Sequence, residues 1–384
     1  DVEVVKVGYE AETRTVGVGP GKTRTVEVTL EPILGEVSIR AEPAGAELFV
    51  DGKPVGNANQ TLRLVAIPHE IIVRADGHEP HRVTVLPRPG VAQSLDVRLK
   101  TPEQIKTESR PRIIRTKHGQ ELVLIEGGRF TMGASRREPG RRANETRREV
   151  ELTRPFYLSR REISNEAFRE FRKQHLSGAV EEFNLENDYH PVVRVTWEDA
   201  ALFCNWLSAE ESLPAFYERR NGTMVPVEPV NTGYRLPTEA EWAFAARFSS
   251  GKTPLKYPWG DALPVEPGSG NYADQSAHAL LEHSIAEFND GYPTTAPIDS
   301  FTPNSLGLFN LGGNVAEWMH DIYTIYARTT TVARDPLGAG DGEYHVIRGS
   351  SWMDSSVSEL RLSYRDFGNG PRPDLGFRIA RYAE

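Results

Sequence analysis

The chain has 384 residues, 38% of them hydrophobic and 26% charged, with a formal charge of −9 and an isoelectric point near 5.7. That length holds two or three globular domains, the balance excludes a disordered chain, and the acidity excludes nucleic acid as the main partner, because phosphate recognition needs a concentrated basic surface. No run approaches the roughly 18 apolar residues of a membrane span, and a single cysteine permits no internal disulfide, which leaves the redox compartment open.

The first residues already read as strand with no secretory signal, so an anchor, a signal or an effector domain is expected upstream of Asp1 in the native protein. Residues from Val4 repeat those from Val73, an offset of 69: Gly8-Tyr9-Glu10 falls on Gly77-His78-Glu79, Pro20-Gly21 on Pro89-Gly90, and Val26–Leu30 on Leu95–Leu99. Such self-similarity marks tandem units of short strands, the first present as its second half (1–32) and the next complete (33–100). In the complete unit Asp51-Gly52 between two β-rich runs signals a hairpin. The run Glu42-Pro43-Ala44-Gly45-Ala46 through Gly56 resembles the PEGA family of small β-sandwich modules, with Ala44 where the family motif has Glu. Nothing in these modules suggests catalysis, and a spacer or adhesive role is expected.

Residues 101–118, polar with little apolar periodicity, read as a linker before a second domain at 119–384. Leu122–Ile125, Gly127-Gly128 and Arg129–Met132 predict strand, turn and strand. The arginines of Arg136-Arg137-Glu138-Pro139-Gly140-Arg141-Arg142 and Arg147-Arg148 alternate with acids and predict a solvated loop. Thr196 and Thr238 stand where helix N-caps belong, with Glu198-Asp199 and Glu239 supplying negative charge to the first turns, so helices are expected over 197–208 and 238–249. The lone Cys204 sits on the first helix among apolar residues at helical spacing, the pattern of a buried small hydrophobe. His190 and His320 have no partner at metal-ligand spacing. The loop Asn310–Glu317 gathers an amide oxygen, a carboxylate and glycine-freed carbonyls, a hard-cation pattern.

The ordered motifs Phe156-Tyr157-Leu158, Glu162–Phe168, Val195–Ala200, Tyr234–Trp242, Tyr257-Pro258-Trp259-Gly260, Asn310–Trp318 and Arg348-Gly349-Ser350-Ser351-Trp352, closing on Gly376-Phe377-Arg378, resemble the formylglycine-generating (sulfatase-modifying factor) superfamily over residues 119–382. The resemblance implies an α+β, C-type-lectin-like fold with little regular structure. It also implies calcium at two sites, one formed by Asn310, Gly313, Val315 and Glu317, the other by Asn271, Tyr272, Asp290 and Tyr292, with an unusually long insertion between Ala273 and Asn289 in the second. The family's oxidases carry two cysteines in the terminal block, and Asp354 and Glu359 stand at those places. Carboxylates do not replace soft thiolates for copper, so the scaffold is kept and the thiol chemistry lost.

A non-catalytic scaffold for a protein or other surface ligand follows as the expectation. The former substrate groove would hold the ligand through Met353, Asp354, Ser356, Ser358, Glu359, Arg361, Ser363, Tyr364, Asp366, Phe367 and Asn369, a polar and aromatic mixture suited to recognition. Within the superfamily the pattern is similar to the variable proteins of diversity-generating retroelements, and to accessory domains that regulate signalling kinases or secretion machines. An oxidase using other residues is the rival class. A bacterial periplasmic or cell-surface location is expected, or a cytoplasmic one if an effector domain precedes the chain.

Overall fold

The 69-residue offset of the sequence recurs in the backbone. In the computed structural model, which describes residues 1–248 and 253–383, strand Val2–Val4 pairs antiparallel with Glu12–Arg14 and Val2 faces Arg14. Ile71 faces Val83 in the later pair His69–Arg74 and His81–Val85, the same register 69 residues on. Loop hydrogen bonds repeat as well: Glu10 N donates to Glu31 O and Glu79 N to Lys100 O, each at 2.9 Å. The complete module is two sheets, 60–65/34–42/93–98 and 53–57/47–50/69–74/81–85, closed on Val37, Ile39, Leu48, Ile71, Val73 and Val97. Asp51 and Gly52 both take positive φ, 49° and 78°, as the tightest hairpin turn requires. Residues 24–29 form no strand, because 93–98 pairs in parallel with 34–42 and the first unit holds no counterpart of 34–42.

The chain divides into compact units at 1–110 and 111–384. The segment read as a linker is not structureless. Helix α1, Pro102–Glu108, is capped by Thr101 and Gln104 in a reciprocal box with proline at its start, and strand Ile113–Arg115 forms the edge of a sheet in the second unit. No residue of α1 is buried, so it carries no apolar stripe for periodicity to reveal.

The second unit is α+β. A four-stranded sheet orders 113–115, 121–125, 156–159 and 380–382, tying the end of the chain to the start of the domain. A second sheet orders 366–368, 345–348, 316–322 and 375–376, so that the terminal block folds back beside the 316–322 strand. Helix α2, Asn165–Phe171, is capped by Ser164; α3, Trp197–Glu210, and α4, Glu239–Arg247, begin with capping boxes on Thr196 and Thr238. Ser249, the last residue of the second expected helix, lies outside the described residues. Phe168, Phe203 and Phe377 meet in one core with Trp242 and Trp318. Residues 253–315 contain neither helix nor strand of this set, so their conformation depends on side-chain hydrogen bonds and packing.

Candidate functional site

The two expected calcium sets lie against each other. Asn314 N donates to Asn271 O at 2.8 Å, and a Cβ on Gly313 (φ +96°) would stand 2.9 Å from that same carbonyl, which restricts the position to glycine. Asn310 gives its amide NH2 to Glu162 Oε2 (3.0 Å) and Ile298 O (3.2 Å), and Asn271 gives its own to Thr294 O (2.7 Å). The amide oxygens of both residues are buried without a hydrogen-bond partner. A buried carbonyl oxygen left unpaired costs on the order of 1–3 kcal/mol, and two such oxygens, one at the head of each set, fit a hard cation, which takes amide and main-chain carbonyl oxygens beside carboxylates.

The anionic members are differently placed. Asp290 accepts from the backbone of Tyr272 and Tyr292 at 2.9 Å each, and burial, with Asp274 nearby, pushes it up to about 7. Glu317 is fully inside and already held in a fork by Arg378 (2.6–2.9 Å) and by Trp242 Nε1 (2.9 Å). Glu162, which the site reading missed, is buried between the amides of Asn310 and Asn314 and is pushed up to about 7 by burial. Among the described residues no group of three or more His, Cys, Asp and Glu stands ready to hold a metal, so a cation here would rest on amides and carbonyls beside single carboxylates.

The terminal block separates the expected ligand residues into outer and inner sets. Met353 (38% exposed), Ser356, Phe367 (43%) and Asn369 face outward, with Ser358, Glu359 and Asp366 half-buried. Arg361, Ser363 and Tyr364 are buried, which corrects their assignment to the surface. Arg361 forks onto Glu145 (2.6 and 2.7 Å), reaches Glu138 (3.0 Å) and donates to Gly140 O; Ser363 Oγ donates to the same Glu138. Arg142 donates to Tyr364 Oη. In Leu360–Arg365 every side chain is buried, so polar alternation here marks an ion-paired interior rather than a wetted face. Sequence reasoning also missed Tyr323 and Tyr344, which pack on Phe367 with ring centres at 4.3 and 5.4 Å. They lie outside the block in sequence, and only the 345–348/366–368 pairing brings them to it.

At the two former thiol positions the carboxylates serve local turns. Asp354 Oδ2 accepts from Ser351 N (2.7 Å) and Oγ (2.9 Å), and burial, with Asp374 and Glu359 adding negative charge, pushes it up to about 7. Glu359 Oε2 accepts from Ser356 Oγ at 2.6 Å. Cys204 is completely buried, and burial pushes its thiol far up. His320 is buried and pushed down to about 3, hydrogen-bonded to Tyr217 Oη at 3.0 Å, while His190 meets Thr295 Oγ1 at 3.0 Å. Both histidines sit as neutral packing groups.

A loop-rich α+β domain built on these motifs, preceded by β-modules, defines a class. Residues 109–383 match the sulfatase-modifying factor enzyme 1-like domain, and residues 34–103 match the PEGA domain. The chain therefore belongs to the sulfatase-modifying factor family. It is 33% identical over 304 residues to a formylglycine-generating enzyme of Streptomyces coelicolor, covering 72% of this chain and 92% of that protein. It is 30% identical over 306 residues to the serine/threonine-protein kinase pkn1 of Chlamydia pneumoniae, covering 73% of this chain but 40% of the kinase. The solved structure of Treponema denticola variable protein 1 shares the fold at a TM-score of 0.56 and 23% identity, over 71% of this chain and all of that one. PvdO from Pseudomonas aeruginosa does so at 0.56 and 22%, over 72% and 100%.

Proposed function

We propose that this protein is a non-catalytic binding scaffold of the sulfatase-modifying factor family, braced by calcium, that recognises a protein or other surface ligand through the outer face of residues 350–370. The observation that carries the reading is the fate of the two thiol positions: Asp354 and Glu359 spend oxygens on their own turns, and the one thiol of the chain is sealed in the core at Cys204. The recognition face is Met353, Ser356, Phe367 and Asn369, extended by Tyr344, with exposed apolar and aromatic groups on a rigid frame. Asn310 and Asn271 would each give the cation an amide oxygen, and the ion would hold loops 253–315 against the strand at 316–322. The terminal block would be diversified as in the retroelement variable proteins, with the protein displayed in the periplasm or on the cell surface.

The likeness to the chlamydial kinases favours a second reading, an accessory domain that regulates a signalling kinase by protein contact. Elemental analysis of purified protein tests the scaffold reading first. Calcium near one or two ions per chain, with a melting temperature that falls under chelator, supports it. Stoichiometric copper or iron would overturn it in favour of a metal-dependent oxidase.

A further inference from the structure

Loop 133–148 alternates arginines and acids in sequence but sorts them in space. Glu145 is completely buried on Arg361, and Glu138 turns inward to Arg361 and Ser363. The loop's arginines are left outside. Arg136, Arg137, Arg141 and Arg147 line an open cavity of about 630 Å³ together with the exposed Arg328, from a distant part of the sequence, and the buried Arg148. The loop is solvated at Arg136, Arg137, Arg142 and Arg147, as its sequence suggested, but the acids interleaved with them are turned inward.

Among the described residues none of Arg136, Arg137, Arg141, Arg147 and Arg328 has a carboxylate within 4.0 Å. Arg141 spends Nε and Nη2 on the carbonyls of Ala134 (3.3 Å) and Glu145 (3.4 Å), contacts that fix its fork without neutralising it. Arg148 stacks 3.5 Å from the Tyr326 ring centre, and its carboxylate partner Glu239 stands 4.0 Å away, occupied more closely by Arg365. Glu149, the acid of the cavity wall, is held by Thr131 Oγ1 (2.5 Å) and Arg129 (3.5 Å). Five arginines without a carboxylate partner thus line one concavity of a chain whose net charge is −9, with the buried Arg148 behind them turned onto Tyr326. Like charges gathered so closely repel one another unless an anion lies between them, and the planar fork of arginine matches phosphate and sulfate oxygens two at a time.

We propose that this cavity binds a compact ligand carrying several phosphate or sulfate groups. Its volume lies within the roughly 300–1,000 Å³ of small-molecule sites. The concavity is open but local, and the acidity of the chain as a whole opposes an extended polyanion such as a nucleic acid. The site is separate from the outer face of residues 350–370 and does not depend on that reading.

The test is isothermal titration of the full chain with sucrose octasulfate and, separately, with inositol hexakisphosphate. Free calcium is removed before the titration, because inositol hexakisphosphate itself complexes that ion, and salt is kept at about 0.15 M, where the Debye length is about 8 Å and only close contacts survive screening. The wild type should bind at least one of the two, and whichever binds tells sulfate from phosphate. Arg137→Ser with Arg328→Ser should weaken binding by about tenfold or more, the loss of charge-assisted hydrogen bonds from two of the lining arginines, with an unchanged melting temperature because both side chains are exposed. Arg63→Ser, an exposed arginine of the β-module (side chain 69% exposed), is the control and should bind as wild type. Failure of the wild type to bind either compound, or equal affinity in the double variant, would overturn the proposal.

Discussion

Arg361 distinguishes two readings of the terminal block in a single substitution. As a surface contact it would contribute to ligand affinity and little to folding; as placed in the structure it neutralises Glu145 and shares Glu138, with both Arg361 and Glu145 at zero side-chain exposure. Arg361→Met keeps most of the volume and removes five hydrogen bonds, to Glu145 twice, Glu138, Ser363 Oγ and Gly140 O. Breaking a buried pair from one side typically costs about 3–5 kcal/mol, because the partner charge stays buried and uncompensated. For a unit spanning 111–384, an unfolding entropy of about 2.1 cal/mol/K per residue sums to roughly 0.6 kcal/mol/K, so the melting temperature should fall by about 5–9 °C. Calorimetry on the wild type, Arg361→Met, Glu145→Leu and the double variant gives the full cycle. The double variant should recover much of the loss, since an apolar pair of similar volume is often neutral in place of a buried ion pair. A fall under about 1 °C for Arg361→Met, or additive losses in the double, would refute the assignment of Arg361 to the interior and return it to the ligand face.

Asp354 gives a pH-dependent test. Its folded value near 7 lies above the ordinary 3.8, so the folded chain holds that proton more tightly and stability falls as pH rises from about 4 to about 7. A three-unit shift is worth at most about 4 kcal/mol, and the partial exposure of the side chain reduces it; Asp354→Asn, which keeps an oxygen for Ser351, should be more stable than wild type by about 1–2 kcal/mol in urea near pH 8 and equal near pH 4. Saturating calcium at about 100 times its dissociation constant should add about 2.7 kcal/mol to the stability of the second unit, and Asn310→Leu should lower that increment in chelator-controlled melts. An unaltered increment would remove Asn310 from the cation. Phe367→Ser should lower the melting temperature by about 2–5 °C, because the ring, though 43% exposed, packs on Tyr323 and Tyr344 and each aromatic pair is worth about 0.5–1.5 kcal/mol, while abolishing capture of any ligand selected on the native protein. Cys204 should resist a thiol reagent in the native state and react fully in denaturant; labelling of the native chain would show an open core.

The division between what the residues announced and what they concealed follows the physics of each signal. Thr196 and Thr238 declared α3 and α4 because capping is local, a side chain and an amide three residues apart. The module repeat was legible as an offset of 69 and recurs in the first hairpin, where Val2 faces Arg14 as Ile71 faces Val83, but not at 24–29, which form no strand. α1 went unseen for want of a buried face, and α2 lay inside a motif whose seven residues are too few for a periodic pattern. The family motifs led directly to Asn310 and Asn271 and to the replaced thiols, but burial within the terminal block was not written in Leu360–Arg365, whose alternation of apolar and polar residues is also that of a half-exposed strand.

The concealed part has one cause. A domain with long stretches outside helix and strand, 133–147, 253–315 and 349–365 among them, leaves many main-chain carbonyls without a ladder partner, and buried carbonyls must be satisfied by something. Arginines supply the donors. Arg378 gives Nη1 to Ser159 O and Nη2 to Phe309 O, and Arg365 gives Nη1 to the carbonyls of Asn144 and Thr324. Arg348 serves Leu362, Ser363 and Tyr364, and Arg247 serves Gly133 and Leu255. A guanidinium group with five donors in a rigid fork joins three strands of loop where an aliphatic side chain would leave each carbonyl unpaired. Its charge must then be answered, which is why Glu317, Glu239 and Glu145 lie fully buried at the same junctions. The inward turn of Glu138 and Glu145 is part of this interior arrangement, and it leaves Arg136, Arg137, Arg141 and Arg147 lining the cavity with Glu149, itself held by Thr131 and Arg129, beside them. The basic cavity is a consequence of how a loop-built domain satisfies its backbone, and the Arg361 cycle should bear on it: Glu145 stays buried, but loosening the partly exposed Glu138 from Arg361 frees a carboxylate to reach the loop arginines, so Arg361→Met should also weaken sulfate or phosphate binding, although Arg361 does not line the cavity.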